Sequence, residues 1–467
     1  MVYLEGQILL QRAQKIAEII QNARSVHIVT HIDADGLTAG AIAALALKRQ
    51  EISYSIECVK QLDEAVLSRL VKEHYPLVWF TDLGSSIADS YESINKIITD
   101  HHLCSLDTNT DFHLNPHLFN YDGTYEISGA GTTYLVAKAL DENNTDLSSL
   151  AIVGACGDLQ DHRFCKLTGY NEYILSDGIT RGVLQKKLDI RYFGRETRPV
   201  AKLLQYATDP EIPGISGREE ASVAFLQDLG ITLKDGDYWR RWIDLTKTER
   251  QKILSAIARL LLRRGYGHMI TKRIVGEIYI LSQEQPGSEL HEAKEYATLL
   301  NATARYGQAD VGLNVCLGDR NTWFKKAEKL LLGHRHNLVE GLQYAREEKL
   351  EKRRFLQFFH AGSGIRDTII GIVTNMLLNS DAVDRNLPIF GFADTENGDV
   401  KVSARATQKL VDKGLNLSQA LKNAAKVVGG VGGGHSIAAG ATIPKGKEQE
   451  FLTLVEQEIQ HQLDPGL

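Results

Sequence analysis

The sequence predicts an α/β protein whose N-terminal domain contains a mainly parallel sheet. Three observations lead to this fold class. Short β-branched runs alternate with helical stretches through residues 1–190, a longer and more helical stretch begins near Tyr192, and an α/β pattern then returns before the glycine run VVGGVGGG. At 467 residues the chain is also too long for one ordinary core. We therefore predict three parts, over residues 1–190, 191–270 and 271–467.

Four β-branched runs mark the predicted strands of the first part, in the order SVHIVTH, ISYSIECV, PLVWFTD and KIITDHH. Helices are predicted between them, one from Thr38 to about Lys48 and another that ends near Glu73. Strands that alternate with helices form βαβ units, and ligands bind beyond the carboxyl ends of such strands. Three of these runs end in acidic or imidazole residues, so chemistry is expected at that edge of the sheet.

The middle and last parts contain three further elements that the pattern predicts. TKTERQKILSAIARLLLRRGY has the apolar spacing of an amphipathic helix, in a region interrupted by DPEIPGISGREE. RIVGEIYIL is predicted to be a strand, and HNLVEGLQYAREEKLEKRRFLQFF a long charged helix. The middle part is therefore expected to be mainly helical, and the last part to begin with linker helices.

Composition favours a soluble globular protein, because 43% of the residues are hydrophobic and 24% are charged. The start of the chain lacks signal-peptide features, and no run approaches the roughly 20 apolar residues that span a bilayer, so we predict a cytoplasmic location. The five cysteines have no CxxC spacing and are interpreted as buried thiols. The net charge of -6 does not exclude nucleic acid, provided that basic residues line one groove.

The first chemical motif follows the run VHIVT and places His31, Asp33 and Asp35 at alternate positions. An extended segment would point these three side chains to one side, where they could bind a metal ion together. The alternative is the N-cap of a helix with spare acids, since Asp often precedes a helix.

Three more runs lead into acidic or imidazole residues. LVWF is followed by Asp82, KIIT by Asp100, His101 and His102, and LAIVGACG by Asp158. Periodicity does not decide whether LAIVGACG is a strand or a helix.

Five carboxylates at one sheet edge would repel one another unless some were protonated or cations were present. Two divalent ions would nearly cancel their charge. Mixed carboxylate and imidazole ligands suit Mn²⁺, with zinc or magnesium as substitutes. Such a pair of ions activates water for attack on phosphorus and stabilises the leaving oxygen.

HIDADG, TDLGSS, TDHH and CGD, in that order, resemble the four signature motifs of the DHH phosphoesterase superfamily. The resemblance implies a DHH catalytic domain over residues 1–190. It implies that His31 and Asp33 bind one metal ion, that Asp35, His101 and Asp158 bind the second, and that Asp82 bridges the two. It also implies that Asp100 orients the ligands and that His102 faces the scissile phosphate.

Later motifs resemble the DHH-associated substrate domain, which would lie across a cleft from the catalytic domain. They are Gly364-Ile365-Arg366, Ile370-Gly371-Ile372-Val373, Ser403-Ala404-Arg405-Ala406 and Gly432-Gly433-Gly434-His435. Glycines let a backbone approach phosphate closely with its N–H groups directed at the oxygens. We therefore expect substrate binding by Ser403, the three glycines and His435, and catalytic roles for Arg405 and for His435. The alternative for the glycine run is a flexible turn.

Together the two domains resemble RecJ-type single-strand exonucleases and their archaeal relatives. The resemblance implies Mn²⁺-dependent exonucleolytic hydrolysis of single-stranded DNA or RNA, in DNA repair or replication, with two ions and with Mg²⁺ as a substitute. One alternative is a phosphodiesterase of short oligonucleotides or cyclic dinucleotides. Another is a replication-complex scaffold with GINS-like partners.

A single-strand substrate requires a basic groove with aromatic side chains on which bases stack. Tyr238, Trp239 and Trp242 are candidates for stacking, although paired tryptophans usually belong to a core. Candidate basic clusters, each of which is as readily a solvated helix face, are Arg263, Arg264, Lys272 and Arg273; Lys325, Lys326, Lys329, His334 and His336; and Lys349, Lys352, Arg353 and Arg354.

Overall fold

A computed structural model describes residues 2–105, 110–348, 350–378 and 383–464, with side chains from residue 8 onward. The chain divides into two compact units, Met1–Leu331 and Leu332–Leu467. Among the described helices, none is both long and apolar enough to cross a membrane.

The helices are, in chain order, α1 (Val2–Gln21), α2 (Ala34–Arg49), α3 (Glu64–Glu73), α4 (Gly129–Leu140), α5 (Ser148–Gly157), α6 (Tyr170–Arg181), α7 (Val200–Gln205), α8 (Glu219–Asp228), α9 (Lys247–Arg263), α10 (His268–Thr271), α11 (Ala293–Arg305), α12 (Ala309–Cys316), α13 (Thr322–Glu347), α14 (Ile370–Leu378), α15 (Gln408–Val411), α16 (Leu417–Val427) and α17 (Glu448–Leu463). The strands are β1 (Ser25–His31), β2 (Ser53–Val59), β3 (Val78–Thr81), β4 (Lys96–Thr99), β5 (His113–Leu114), β6 (Leu184–Ile190), β7 (Lys234–Asp235), β8 (Tyr238–Trp239), β9 (Val275–Leu281), β10 (Glu351–Lys352), β11 (Gln357–His360), β12 (Ile389–Asp394), β13 (Asp399–Arg405), β14 (Val431–Gly434) and β15 (Ala438–Pro444).

The first unit contains a five-stranded parallel sheet in the order β2-β1-β3-β4-β5, which confirms the predicted fold class. Side chains alternate between its two faces, as the pleat of a strand requires. Ile28 and Trp79 enter a large core with α1, α2, α4, α5 and α11, whereas Val29 and Phe80 enter a smaller core with α3. Both faces are covered, so the buried strands consist of continuous apolar runs rather than alternating ones.

The middle region begins and ends at one pair of strands within the first unit. Strands β6 and β9 pair in antiparallel fashion, and the pair ends with Ile190 opposite Val275. Between them the chain builds a separate hydrophobic cluster that includes the apolar face of α9. The predicted amphipathic helix is therefore confirmed, and it starts at a capping box formed by Thr246 and Glu249.

The second unit contains a six-stranded mixed sheet in the order β10-β11-β12-β13-β15-β14. Its pairs are antiparallel except for β11 with β12. One face is covered by α16 and α17, and the other contacts α14. This smaller α/β unit agrees with the predicted C-terminal architecture.

The prediction of one long helix from His336 to Phe359 is wrong. Helix α13 ends at Glu347, and the aromatic run that follows forms strand β11. Phe358 and Phe359 are buried on opposite faces of that strand. Aromatic residues at adjacent positions suit a strand between two cores better than a solvated helix.

The expectation of five buried thiols is also only partly met. Cys156 and Cys316 are buried, but Cys58, Cys104 and Cys165 are partly exposed. All five are free, in agreement with the absence of a disulfide spacing.

Candidate metal centre and substrate-binding strands

The predicted ligands meet at the carboxyl edge of the parallel sheet. Strand β1 ends at His31, β3 is followed by Asp82, and β4 is followed by Asp100. The run before Asp158, which the sequence left undecided, is helix α5, and Asp158 is its C-cap.

The extended geometry predicted for residues 31–35 is wrong, although its three side chains do approach the same centre. His31 ends a strand, Asp33 is the N-cap of α2 and accepts a hydrogen bond from the Gly36 N–H at 3.0 Å, and Asp35 lies in the first helical turn. A tight strand-to-helix turn, rather than period-two alternation, therefore brings them together. The N-cap alternative is correct for Asp33, and it does not prevent the other carboxylate oxygen from facing His31.

The ligand atoms predicted to bind metal form two adjacent groups, and Asp82, His101 and His102 form a third that overlaps with them. In the first, Nδ1 of His31 lies 3.0 Å from Oδ2 of Asp33 and 3.5 Å from Oδ2 of Asp82. In the second, Nε2 of His101 lies 3.1 Å from Oδ2 of Asp158 and 3.6 Å from Oδ2 of Asp35. Within each group of three ligands the atoms lie within 4.8 Å of one another, close enough to hold a metal ion.

Asp82 connects the two groups. Its Oδ2 faces His31, and its Oδ1 lies 3.2 Å from Nε2 of His101. The side chain is 1% exposed, and the backbone has a left-handed φ of 58°. Residues other than glycine rarely adopt this conformation, and such strain concentrates at functional sites. A carboxylate between two imidazoles has the arrangement of a bridging ligand.

Three buried atoms of the centre suit a cation. Among the described residues, none gives a hydrogen bond of suitable geometry to Nδ1 of His31, Oδ1 of Asp82 or Nε2 of His101. Nδ1 of His101 lies 2.7 Å from the carbonyl oxygen of Gly123. Donation to that carbonyl places the ring proton on Nδ1 and leaves the Nε2 lone pair for a metal. The donor set therefore fits one or two divalent ions.

Charge balance in the absence of metal is reached with protons. Burial alone would lower the pKa of His31, but the close carboxylates of Asp33 and Asp82 outweigh it and raise the pKa to about 11. Burial likewise opposes the change at Asp82, yet His101 and His31 lower its pKa to about 2. Burial and neighbouring carboxylates raise the pKa of Asp35 well above its usual value. Cations that enter the centre therefore replace protons.

Asp100 is hydrogen-bonded through both of its oxygens. Oδ1 accepts hydrogen bonds from the backbone N–H groups of His101 and His102 and lies 2.8 Å from Nδ1 of the His102 ring. Oδ2 accepts from the N–H of Ser85 at 3.0 Å. Burial raises the pKa of Asp100, but these contacts outweigh it and hold the pKa well below its usual range. The His102 side chain is 59% exposed, so a substrate can reach the ring.

The N-terminus of α4 holds Asp35, a contact that sequence reasoning missed. The N–H groups of Gly129 and Ala130 donate to the two oxygens of Asp35 at 2.6 and 3.0 Å. A Cβ at Gly129 would overlap the Asp82 carboxylate, and one at Gly154 would overlap Asp35. The sequence feature that could have indicated this contact is the run Ser128-Gly129-Ala130-Gly131, because it starts a helix with small residues.

Helix α11 contributes two further residues that sequence reasoning missed. Oδ1 of Asn301 accepts a hydrogen bond from the Ala34 N–H at 3.0 Å, at the start of α2. One turn later, Arg305 lies within the electrostatic influence of Asp33, although burial has the larger effect and lowers the Arg305 pKa. The available signal was the i, i+4 spacing of Asn and Arg on a helix whose other positions are largely buried.

The predicted substrate residues of the second unit lie on three neighbouring strands. Ser403 of β13 is opposite Gly440 of β15, which in turn is opposite Gly433 of β14. Arg405 is two residues beyond Ser403 and therefore lies on the same face of β13. A Cβ at Gly371, in the first turn of α14, would lie 2.8 Å from the Arg405 guanidinium and 3.0 Å from the Ser403 hydroxyl. The three motifs thus meet within this unit: residues 403–406, residues 370–373 and the glycine run. His435 is exposed directly after β14.

The three glycines of β14 differ in what surrounds them. A Cβ at Gly432 would lie 2.7 Å from the Leu421 carbonyl oxygen, and Gly434 has a φ of 134°. Packing and backbone conformation therefore account for these two. A Cβ at Gly433 would have nothing within 4 Å, so neither of these reasons accounts for glycine there.

The predicted stacking and basic residues differ in whether they reach the surface. Trp242 is 0% exposed and belongs to the core of the middle region, so its prediction as a stacking residue is wrong. Tyr238 and Trp239 are about half exposed at the hairpin of β7 and β8. His334 is buried and cannot line a basic groove, and Lys349 lies outside the described residues.

The sequence matches three domains of one family. Residues 25–156 match the DHH family, N-terminal domain, residues 192–275 the DHH-CID domain, and residues 354–461 the DHHA1 domain. A relative along nearly the whole length is the uncharacterised protein MJ0831 of Methanocaldococcus jannaschii. It is 32% identical over 455 residues, which cover 96% of each chain.

Solved structures share the fold at lower identity. RecJ of Thermus thermophilus in complex with Mn²⁺ is 18% identical with a TM-score of 0.59 over 97% of this chain. The same protein in complex with Mg²⁺ gives a TM-score of 0.54 over 97% of this chain, at 18% identity. The chain spans 55% and 52% of those two RecJ chains. CDC45 from Entamoeba histolytica is 14% identical with a TM-score of 0.66, over 97% of this chain and 99% of the other.

Proposed function

This chain belongs to the DHH family of metal-dependent phosphoesterases and is RecJ-like within it, and from that premise we propose that it hydrolyses single-stranded DNA or RNA exonucleolytically. The observation that carries the proposal is the position of Asp82, whose two oxygens face the imidazoles of two adjacent ligand groups. Two ions that share one carboxylate lie about 3.5–4 Å apart in phosphodiester-cleaving enzymes.

We assign His31, Asp33 and Asp82 to one ion, and Asp82, Asp35, His101 and Asp158 to the other. Mn²⁺ is proposed, with Mg²⁺ as a substitute, because the donors are carboxylates and imidazoles without thiolates. Of the two RecJ structures of similar fold, one is in complex with Mn²⁺ and the other with Mg²⁺. Bound ions would supply Lewis-acid stabilisation of the phosphate and a more acidic water.

The chain's own residues orient the reacting groups. The α4 N–H groups hold Asp35, and the Gly123 carbonyl fixes the His101 ring. The hydrogen bond to Asp100 raises the pKa of His102 and so favours the doubly protonated ring, which carries a proton on Nε2. We propose that Nε2 donates a hydrogen bond to an oxygen of the scissile phosphate, where negative charge increases during the reaction.

In the second unit we propose that Ser403, Arg405, Gly432, Gly433, Gly434 and His435 bind the phosphate backbone of the substrate. The support is the register that aligns Ser403, Gly440 and Gly433 across three strands. Arg405 supplies a guanidinium that can pair with phosphate oxygens in bidentate fashion. Gly433 leaves its surroundings open for a close approach.

The test uses purified protein, Mn²⁺, and end-labelled single strands of DNA and RNA beside a dinucleotide. We expect stepwise release of mononucleotides from at least one of the two strands. Asp82→Ala should abolish this release, because both ligand groups lose a member, whereas Asp111→Ala, at an exposed carboxylate paired with Lys15, should not. Hydrolysis of the dinucleotide alone would favour the short-substrate alternative.

A scaffold role with GINS-like replication partners is a second proposal, which the fold likeness to CDC45 over 97% of the chain favours. It is compatible with activity, because every expected ligand position is filled in this sequence. Co-purification of a stable partner with both the wild type and Asp82→Ala would support it. Loss of cleavage in Asp82→Ala, with the partner retained by both proteins, would separate the two roles.

A further inference from the structure

Tyr125, Arg163 and Phe164 form an exposed cluster that the metal centre does not use. The rings of Tyr125 and Phe164 meet edge to face, with centroids 6.4 Å apart and planes at 73°. The Arg163 guanidinium lies 5.0 Å from the Tyr125 ring centroid and 5.1 Å from that of Phe164. Phe164 is 52% exposed, so the cluster presents an aromatic surface with a cation to solvent.

The cluster is connected to both sides of the second ligand group. Tyr125 lies two residues after Gly123, whose carbonyl oxygen is 2.7 Å from Nδ1 of His101. Arg163 and Phe164 follow Asp158 by five and six residues, within one continuous turn segment. The two loops that carry the cluster are therefore the loops that hold His101 and Asp158.

Buried hydrogen bonds fix the two loops to each other. Nε2 of Gln160 donates to the carbonyl oxygens of Gly123 at 2.8 Å and of Ile127 at 3.2 Å. Oε1 of Gln160 accepts from Asn171 at 2.6 Å. Thr168 donates to the carbonyl oxygen of Tyr125 at 3.2 Å. A residue fully buried between the loops, Gln160, thus keeps the aromatic surface at a set position relative to the ligands.

We propose that Tyr125, Arg163 and Phe164 form a stacking platform for the base of a nucleotide adjacent to the scissile phosphate. The inference rests on the proposed function and deepens it, because it specifies a substrate with unstacked bases. Exposed aromatic rings combined with arginine are the elements by which proteins bind single strands without sequence preference. The hairpin residues Tyr238 and Trp239 offer similar chemistry, because Arg241 lies over the Tyr238 ring and Lys234 over the Trp239 ring. However, no hydrogen bond among the described residues connects them to a proposed metal ligand.

The experiment compares two fluorescent oligonucleotides, one with natural bases and one with abasic residues at its terminal positions. Binding is measured by anisotropy without added divalent metal, so that no turnover occurs. For Phe164→Ala we expect about tenfold weaker binding of the natural strand, the order of one stacked base, and unchanged binding of the abasic strand. Phe164→Trp should retain the difference between the two strands, because it preserves an aromatic face.

Leu188→Ala, at an exposed apolar residue of β6, is the matched control and should bind both strands as the wild type does. Equal weakening of both strands by Phe164→Ala would overturn the proposal, as would a larger base-dependent loss in Trp239→Ala. Cleavage of single strands by the wild type is measured separately. If the wild type cleaves single strands but Phe164→Ala binds both strands as the wild type does, the stacking platform alone is rejected. If the wild type does not cleave single strands, the proposed function is rejected.

Discussion

Asp82 has two unfavourable features, a left-handed backbone and almost complete burial of a carboxylate. Neither would persist without compensation, since each costs free energy. Two imidazoles compensate for the charge, and they do so without well-formed hydrogen bonds. Both features agree with the bridging role that we propose for this carboxylate.

Asp100 is predicted to act by positioning His102. In Asp100→Asn, His102 loses the charged partner that raises its pKa, so the pKa falls and less of the ring is protonated near neutral pH. We expect turnover to fall by about 10–100-fold. We also expect activity to decline at a lower pH than in the wild type as pH is raised. Rates across pH at saturating Mn²⁺ measure both effects.

The control for this variant is Asp111→Asn, which removes an exposed carboxylate paired with Lys15. Its pH profile should match the wild type. A wild-type profile for Asp100→Asn would contradict the positioning role.

Metal binding is predicted to release protons. The metal-free pKa of His31 is raised to about 11, so the ring is protonated at neutral pH and must lose that proton before Nδ1 binds a metal. The apparent affinity for Mn²⁺ should therefore increase as pH rises from about 6 to about 8, by about tenfold per pH unit for each proton released. Calorimetry in two buffers with different ionisation enthalpies counts the protons. The control His336→Gln, at an exposed histidine, should release the same number of protons as the wild type when Mn²⁺ binds. Release of no protons by the wild type would contradict the charge balance described above.

At the scale of elements, we predict that alanine has different effects at the neighbouring glycines of strand β14, because their surroundings differ. Gly433→Ala places a methyl group in open space, so we expect an unchanged melting temperature and a KM for single strands about tenfold higher. Gly432→Ala directs its methyl group at the Leu421 carbonyl and should destabilise the protein by about 1–3 kcal/mol. Thermal unfolding and steady-state kinetics on both variants provide the comparison. A wild-type KM for Gly433→Ala would remove the reason to place a phosphate there.

The elements that the sequence predicts well are those whose pattern has one interpretation. VWFT and KIIT are short, rich in β-branched and aromatic residues, and each is followed directly by an aspartate; both form buried strands that end next to the proposed ligands. The prediction fails where a pattern suits two structures. The charged helix α13 is followed, after a short segment that includes β10, by the aromatic strand β11, which pairs with β10 and β12.

The missed site residues depend on tertiary contacts. Asn301 lies far along the chain from Ala34, and a lone Asn on an amphipathic helix is usually a surface residue. Trp239 and Trp242 are three residues apart, yet the first is half exposed and the second is in a core. Composition cannot distinguish two such neighbours, because burial is decided by which elements pack around them.

At the scale of the whole molecule, bound metal should stabilise the first unit. All four tryptophans, at positions 79, 239, 242 and 323, lie within Met1–Leu331, so tryptophan fluorescence reports on that unit. At about 100 times its dissociation constant, Mn²⁺ should add about 2.7 kcal/mol of stability and raise the melting temperature by roughly 5 °C. Asp82→Asn should abolish the increase. An equal increase in that variant would indicate binding outside the assigned ligands.

Helix α11 has a consequence for synthesis on the ribosome. All of the proposed ligands are present once Asp158 has been made, but α11 begins only about 135 residues later, after the middle region. At a rate of about 5–20 residues per second the delay is roughly 7–27 s. Leu299 and Leu300 fill the core beneath the sheet, and Asn301 holds the first turn of α2. The nascent chain therefore carries all of the proposed metal ligands for many seconds before their scaffold is finished. If these residues bind metal, premature capture of an ion in a different arrangement is a hazard of this order of segments.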